Sequence, residues 1–191
     1  MNKKLIIKLI NIIYVILQIV LAIAFIFQKK YMSSIVTGIV LIIYLLFLLY
    51  EYKKGVAITN FIRISVVISL LANNFLGDYM HIYNKSFVFD KLLHVFGTFS
   101  FTLFFYSIAK KEGYFHRISR LMVFIFILLF GSFIGTVFEI GEYISDVVLK
   151  TANQGSIADN NIDMICNILG GALAGLFEVY RKKETGGIQN G

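Results

Sequence analysis

Ionisable side chains that could do chemistry gather at three places between residues 90 and 167, within or directly beside apolar stretches. Asp90 and His94 stand four residues apart, and Glu139 and Glu142 stand three apart, so each pair shares one face of a helix. Charged groups inside a membrane-spanning stretch usually face the interior of the bundle and have partners there. A third series, spaced every four residues, consists of Asp159, Asp163 and Asn167.

These residue types favour a divalent metal ion. Carboxylate and imidazole groups suit Zn²⁺ or Mn²⁺, and a carboxylate-rich set also suits Mg²⁺ or Ca²⁺. Such an ion could activate water or hold a phosphate of a lipid-linked or cell-envelope substrate. The candidate metal ligands are Asp90, His94, Glu139, Glu142 and Asp163. The candidate catalytic groups are Glu139, Glu142 and His94, with Asn167, Asp159 and Lys91 in supporting positions.

The elements that must position these residues are membrane-spanning helices. The 191-residue chain is 58% hydrophobic and only 15% charged, and one span needs about 20 predominantly apolar residues. Six windows satisfy this length and lack the alternation of barrel strands. They predict an all-α, polytopic bundle of about six transmembrane helices that forms a single integral membrane domain. The windows cover residues 5–27, 32–50, 61–80, 92–109, 121–149 and 163–180. The polar stretch 150–162 is long enough to be a lid or a binding loop.

Basic residues predict the orientation of the bundle. Thirteen lie on the side that holds both termini and five on the opposite side, which predicts cytoplasmic termini in a bacterial plasma membrane. Because these residues stand in short clusters between apolar runs, they indicate membrane topology and not binding to nucleic acid. The first set is Lys3, Lys4, Lys8, Lys53, Lys54, Arg63, Lys110, Lys111, Arg117, Arg120, Arg181, Lys182 and Lys183, and the second is Lys29, Lys30, Lys85, Lys91 and Lys150.

Helical rise predicts a similar depth for the polar groups of the last three spans. Measured from the basic residue at the cytoplasmic end of each span, Asp90, Glu139 and Asp163 lie about 30, 28 and 27 Å away at 1.5 Å per residue. The reference residues are Lys110, Arg120 and Arg181. We therefore expect one polar layer, shared by three helices, near the extracytoplasmic face.

Small residues continue the polar faces of the fifth and sixth spans. Gly131 and Gly135 precede Glu139 at four-residue spacing, and Gly171 and Gly175 follow Asn167 in the same way. This spacing lets helix backbones approach closely within lipid. It predicts that the two spans pack directly against each other and bring their polar ends together.

Three segments between residues 90 and 171 resemble a known group of membrane proteins. They are Asp90-Lys91-Leu92-Leu93-His94, then Phe138-Glu139-Ile140-Gly141-Glu142-Tyr143, and then Asp159 to Asp163 leading into Asn167-Ile168-Leu169-Gly170-Gly171. Together they resemble the YjdF-like bacterial inner-membrane proteins and, more distantly, the VanZ-like family. The resemblance covers residues 70–178. It implies a polar site without a defined reaction, and VanZ itself is associated with glycopeptide resistance. The family often has a threonine after the loop aspartate, where this chain has Asn160 after Asp159.

Two other functions remain open from the residues alone, which define neither a reaction nor an oligomeric state. Carboxylates within spans also mark ion pathways, so an ion-coupled transporter is one alternative. The other is a structural or accessory subunit in which the polar layer only locks the bundle together. In that case Asp163 could simply cap the sixth helix.

Overall fold

The computed structural model describes residues 3–55, 58–113, 118–151 and 153–186, and the regular structure within these ranges is entirely helical. Six helices are long and apolar enough to cross a membrane, which confirms the predicted fold class. They are α1 (Lys3–Phe27), α2 (Tyr31–Lys54), α3 (Asn60–Leu71), α4 (Phe87–Lys111), α5 (Arg120–Leu149) and α6 (Ile157–Gly186). The third span is Asn60–Tyr79, because α3 continues into a π-helical segment, Ala72–Tyr79. Some of the basic residues that predict the orientation lie outside the described parts. They are Arg117 and the side chains of Lys3, Lys4, Lys182 and Lys183.

The last helix begins earlier than the apolar window predicts. α6 starts at Ile157, and the side chain of Ser156 accepts a hydrogen bond from the Asp159 backbone N–H at 3.2 Å. A serine in this position satisfies a backbone donor that the helix itself leaves unpaired. Asp163 therefore lies in the second turn and does not cap the helix, and only residues 150–156 remain as a connecting loop.

The chain divides into two compact units, the N-terminal unit (Met1–Phe87) and the C-terminal unit (Val88–Gly191). That the whole chain forms a single membrane domain stays a prediction. Large apolar side chains remain exposed on every helix, as expected of surfaces that face lipid. Examples with about half or more of their surface exposed are Val20, Ile43, Ile68, Leu92, Leu129 and Leu176.

The N-terminal unit contains two clusters of buried polar side chains of its own. Arg63 is 2% exposed and forms an ion pair with Glu51, and it also donates to Asn11 Oδ1 at 3.1 Å. The buried amides of Gln18 and Asn74 join α1 to the π-helical segment at 3.3 Å. These contacts give partners to polar groups that are costly to bury alone, and among the described buried atoms of these residues only Nε of Arg63 lacks a hydrogen-bond partner.

The C-terminal unit contains the three helices that carry the predicted site. A Cβ atom built on Gly131 of α5 would lie 2.6 Å from the Cα of Gly171 on α6, so the two backbones touch where the glycines meet. On the adjacent face of α6, a Cβ atom on Gly170 would meet the α4 backbone at Val95. The predicted glycine contact between α5 and α6 is therefore confirmed. The α4 helix packs against the neighbouring residue of α6, Gly170.

Candidate functional site

All eight residues of the predicted site lie in the C-terminal unit. The first turns of α4 provide three of them, the later half of α5 provides two, and the first three turns of α6 provide three. Their arrangement follows from the glycine contacts, because close approach of the backbones brings short aspartate and asparagine side chains within reach of the neighbouring helix. The residues are Asp90, Lys91 and His94, Glu139 and Glu142, and Asp159, Asp163 and Asn167.

Lys91 occupies the centre of the aspartate group. Its Nζ lies 2.8 Å from Asp90 Oδ2 and 2.6 Å from both Asp159 Oδ1 and Asp163 Oδ1. The residue is only 7% exposed. A buried ammonium needs such partners, because a charge without them is costly to remove from water. Lys91 thereby joins α4 to α6 through the carboxylates of Asp159 and Asp163.

The His94 ring lies between carboxylates on both of its edges. Nε2 is 3.5 Å from Asp90 Oδ1 and 3.5 Å from Asp163 Oδ1, while Nδ1 is 3.4 Å from Glu139 Oε1. One ligand atom from each of Asp90, His94 and Asp163 lies within 4.8 Å of the other two. Nitrogen and oxygen atoms about 2.1 Å from a tetrahedral zinc ion are themselves about 3.4 Å apart. The two Nε2 distances therefore suit ligands of one such ion.

Asn167 connects the histidine to a carboxylate and to a hydroxyl group. Thr98 Oγ1 donates to Asn167 Oδ1 at 2.7 Å, and His94 Nδ1 lies 3.3 Å from the same oxygen. The Asn167 Nδ2 group donates to Glu139 Oε1 at 3.3 Å. Because the Thr98 hydroxyl donates to the amide oxygen, the amide nitrogen is directed at the glutamate. Thr98 is absent from the predicted set, although its spacing of four residues from His94 is a usable signal.

Glu139 has one oxygen engaged and one without a partner. Oε1 accepts from Asn167, whereas Oε2 is buried and has no hydrogen-bond partner among the described residues. The whole residue is 8% exposed. A buried carboxylate oxygen without a donor is unfavourable, so this atom is a candidate acceptor for a proton donor, a water molecule or a cation.

The cluster carries an excess of negative charge. Five carboxylates, including half-buried Glu142, interact electrostatically with at most two cationic groups, Lys91 and His94. Like charges held this close repel one another unless a further positive charge or bound protons neutralise them. The site can therefore meet its excess charge either by holding protons or by binding a further cation.

The loop between α5 and α6 is organised by one side chain. Asp146 accepts from the hydroxyl group of Thr151 at 2.6 Å and from the backbone N–H groups of Asn153 and Gln154 at 2.8 and 2.9 Å. Gln154 in turn donates from Nε2 to the backbone oxygen of Glu139 at 3.4 Å. These bonds hold the loop against the end of α5 that carries the site.

A second ionic cluster joins α4 to α6 farther along both helices. Glu178 is fully buried and accepts from Lys110 Nζ at 2.7 Å and from Arg181 Nε at 2.8 Å. Neither Lys110 nor Glu178 belongs to the set of site residues predicted from the sequence. The only sequence signal of this cluster is an acidic residue three positions before Arg181, in a region of basic residues. This ionic cluster fixes the two helices at the end of the unit away from His94.

Comparisons with known proteins agree with the helical membrane architecture. Over 117 residues the chain is 34% identical to an uncharacterised protein of Thermotoga maritima, and the match covers 60% of this chain and 59% of that protein. The chain thus spans less than two thirds of that relative. No solved structure matches. Residues 9–184 match the family described as "Predicted membrane protein (DUF2238)", a range that includes every residue of the site. The chain therefore belongs to the DUF2238 family of membrane proteins.

Proposed function

We propose that the C-terminal unit binds a divalent metal ion and uses it on a lipid-linked or cell-envelope substrate that carries a phosphate. The observation that carries the proposal is the convergence of Asp90, His94 and Asp163, whose ligand atoms lie within 4.8 Å of one another. Three protein ligands with room for a fourth are typical of zinc sites that act on a substrate. The unpaired Oε2 atom of Glu139 supports the same conclusion.

Zn²⁺ and Mn²⁺ suit this donor set best, because it combines one imidazole with carboxylates. When bound, either ion polarises a phosphoryl oxygen or activates a water molecule. Glu139 holds the His94 ring through Nδ1 and directs Nε2 towards the aspartates. Glu142 is half-buried beside this pair, and it serves as the group that exchanges protons with solvent.

We also assign the chain to the YjdF-like bacterial inner-membrane proteins, with both termini in the cytoplasm and the site near the extracytoplasmic face. The DUF2238 match supports a membrane family, and the distribution of basic residues supports the orientation. Single cysteine substitutions in a Cys166→Ser background test the orientation. An impermeant maleimide should label Lys85→Cys in intact cells and Lys54→Cys only after permeabilisation. The reverse pattern would place the site on the cytoplasmic side.

A structural role is the second candidate, and the Lys91 contacts favour it. One ammonium already partners three aspartates, so the cluster could hold α4 against α6 without any metal. Under this alternative, Glu139→Gln lowers the free energy of unfolding. The metal content of the wild type and of every variant then stays at the background level.

Metal analysis of the purified protein separates the two candidates. We expect stoichiometric Zn²⁺ or Mn²⁺ in the wild type and in His81→Ala, a control that removes a histidine of the N-terminal unit. His94→Ala and Asp163→Asn should each lose the metal while remaining monodisperse. An absence of metal from the wild type after incubation with either ion, or retention by His94→Ala, contradicts the metal site.

A further inference from the structure

One oxygen of the proposed metal site is already in contact with a cation of the protein. Asp163 Oδ1 lies 2.6 Å from Lys91 Nζ and 3.5 Å from His94 Nε2, so the same atom serves both groups. Asp90 divides its two oxygens instead, with Oδ2 towards Lys91 and Oδ1 towards His94. The lysine and a metal ion therefore compete directly for Asp163.

Burial makes this competition strong. Lys91 is 7% exposed and Asp163 is 4% exposed, so water screens their interaction weakly. A divalent ion that binds His94 and Asp163 would be repelled by an ammonium in contact with the same carboxylate. The ammonium keeps a partner if Asp163 is withdrawn, because Asp159 Oδ1 also lies 2.6 Å from Nζ and is not among the three clustered ligands.

We propose that Lys91 is a tethered cation that occupies the metal site when no metal is bound and thereby sets its affinity. The inference rests on the metal site proposed above. With the site empty, Lys91 neutralises Asp90 and Asp163 and keeps the helices together. When a divalent ion binds, Asp163 Oδ1 turns to the metal and Lys91 stays with Asp159. A monovalent ion offers too little charge to displace the ammonium, so this arrangement selects divalent ions.

The test compares Lys91→Met with a matched control, Lys110→Met, which removes a lysine paired to a buried carboxylate elsewhere in the same unit. Binding of Mn²⁺ to the full-length protein is measured in detergent micelles. Since Lys91→Met removes a repelling charge, we expect it to bind Mn²⁺ at least about tenfold more tightly than the wild type. Lys110→Met should bind as the wild type does.

Reductive ¹³C-methylation of the wild type gives a second measurement that does not depend on the variant folding. Zn²⁺ should increase the labelling of Lys91, because it loses one carboxylate partner, and should leave the labelling of Lys110 unchanged. The role of Lys91 is overturned if the wild type and Lys91→Met bind Mn²⁺ with equal affinity, or if Zn²⁺ does not change the labelling of Lys91. Either result leaves the proposed metal site intact. If neither the wild type nor Lys91→Met binds any divalent ion, both proposals are overturned.

Discussion

Replacing Gly131 by alanine tests whether direct contact between α5 and α6 positions the site. The added Cβ atom would lie 2.6 Å from the Cα of Gly171 and 2.9 Å from Thr102 Oγ1, whereas ordinary contact begins near 3.4 Å. The neighbouring atom on α6 belongs to the backbone, so no side chain can rotate away. The two helices must therefore separate by about 0.8 Å, the difference between 3.4 and 2.6 Å.

The energetic cost follows from that displacement. Forcing one additional carbon into a well-packed interface typically costs 1–3 kcal/mol, or about 2 kcal/mol here. Alanine also favours the helix by up to about 1 kcal/mol over glycine, which conceals part of the cost. Gly141→Ala, on the same helix, corrects for this gain because a Cβ atom there has no atom within 4 Å. The difference between the two variants measures the clash.

Unfolding in mixed micelles, with increasing dodecyl sulfate and detection by circular dichroism, gives the required free energies. Gly131→Ala should be less stable than Gly141→Ala by about 1–3 kcal/mol. It should also bind metal more weakly, because the Asn167 Nδ2 to Glu139 Oε1 bond between these helices is already 3.3 Å long. Equal stability of the two alanine variants would refute the claim that the α5 and α6 backbones touch at Gly131.

Three further variants test individual contacts. Glu178→Ala leaves Lys110 without its buried partner, and we expect a loss of about 2 kcal/mol in the same unfolding assay, with Glu178→Gln intermediate. Thr98→Val removes the 2.7 Å donor to Asn167 at nearly constant volume, which should cost about 1 kcal/mol and weaken metal binding at least about tenfold. A normal metal affinity would show that this donor does not position the site. Asp146→Ala removes three acceptor contacts from the loop before α6, so limited proteolysis should cleave residues 150–156 faster than in the wild type. Unchanged cleavage would mean that other contacts hold the loop.

The helices could be predicted because their signal is local. An apolar run of about 20 residues must become a helix in lipid, since the backbone has no other hydrogen-bond partners there. The start of α6 could not be found in this way, because its first six residues include Asp159, Asn160 and Asn161 and read as part of the polar stretch 150–162. Capping by Ser156, which that test does not measure, determines where the helix begins.

The membership of the site could be predicted in part. Three- and four-residue spacings identify which residues share a face of one helix, so the polar faces of the three helices and the glycine contact between α5 and α6 could be predicted from the sequence. Spacing does not fix how far one helix is shifted along the next. That shift decides that Lys91 contacts Asp159 and Asp163 of α6 and that Thr98 reaches Asn167. The metal role of the cluster stays a prediction.

The sequence by itself determined six helices long and apolar enough to span a membrane, because length, hydropathy and helical period are properties of each segment alone. The similar depth of the polar residues stays a prediction from the same local properties. Only the tertiary structure decided which atoms meet. Close contact at Gly131 and Gly171 sets the register of α5 against α6. That register places Asn167 against Glu139, and the packing of α4 on α6 leaves Asp163 between Lys91 and His94. Distances of this kind depend on the packing of several helices at once, which no single segment encodes.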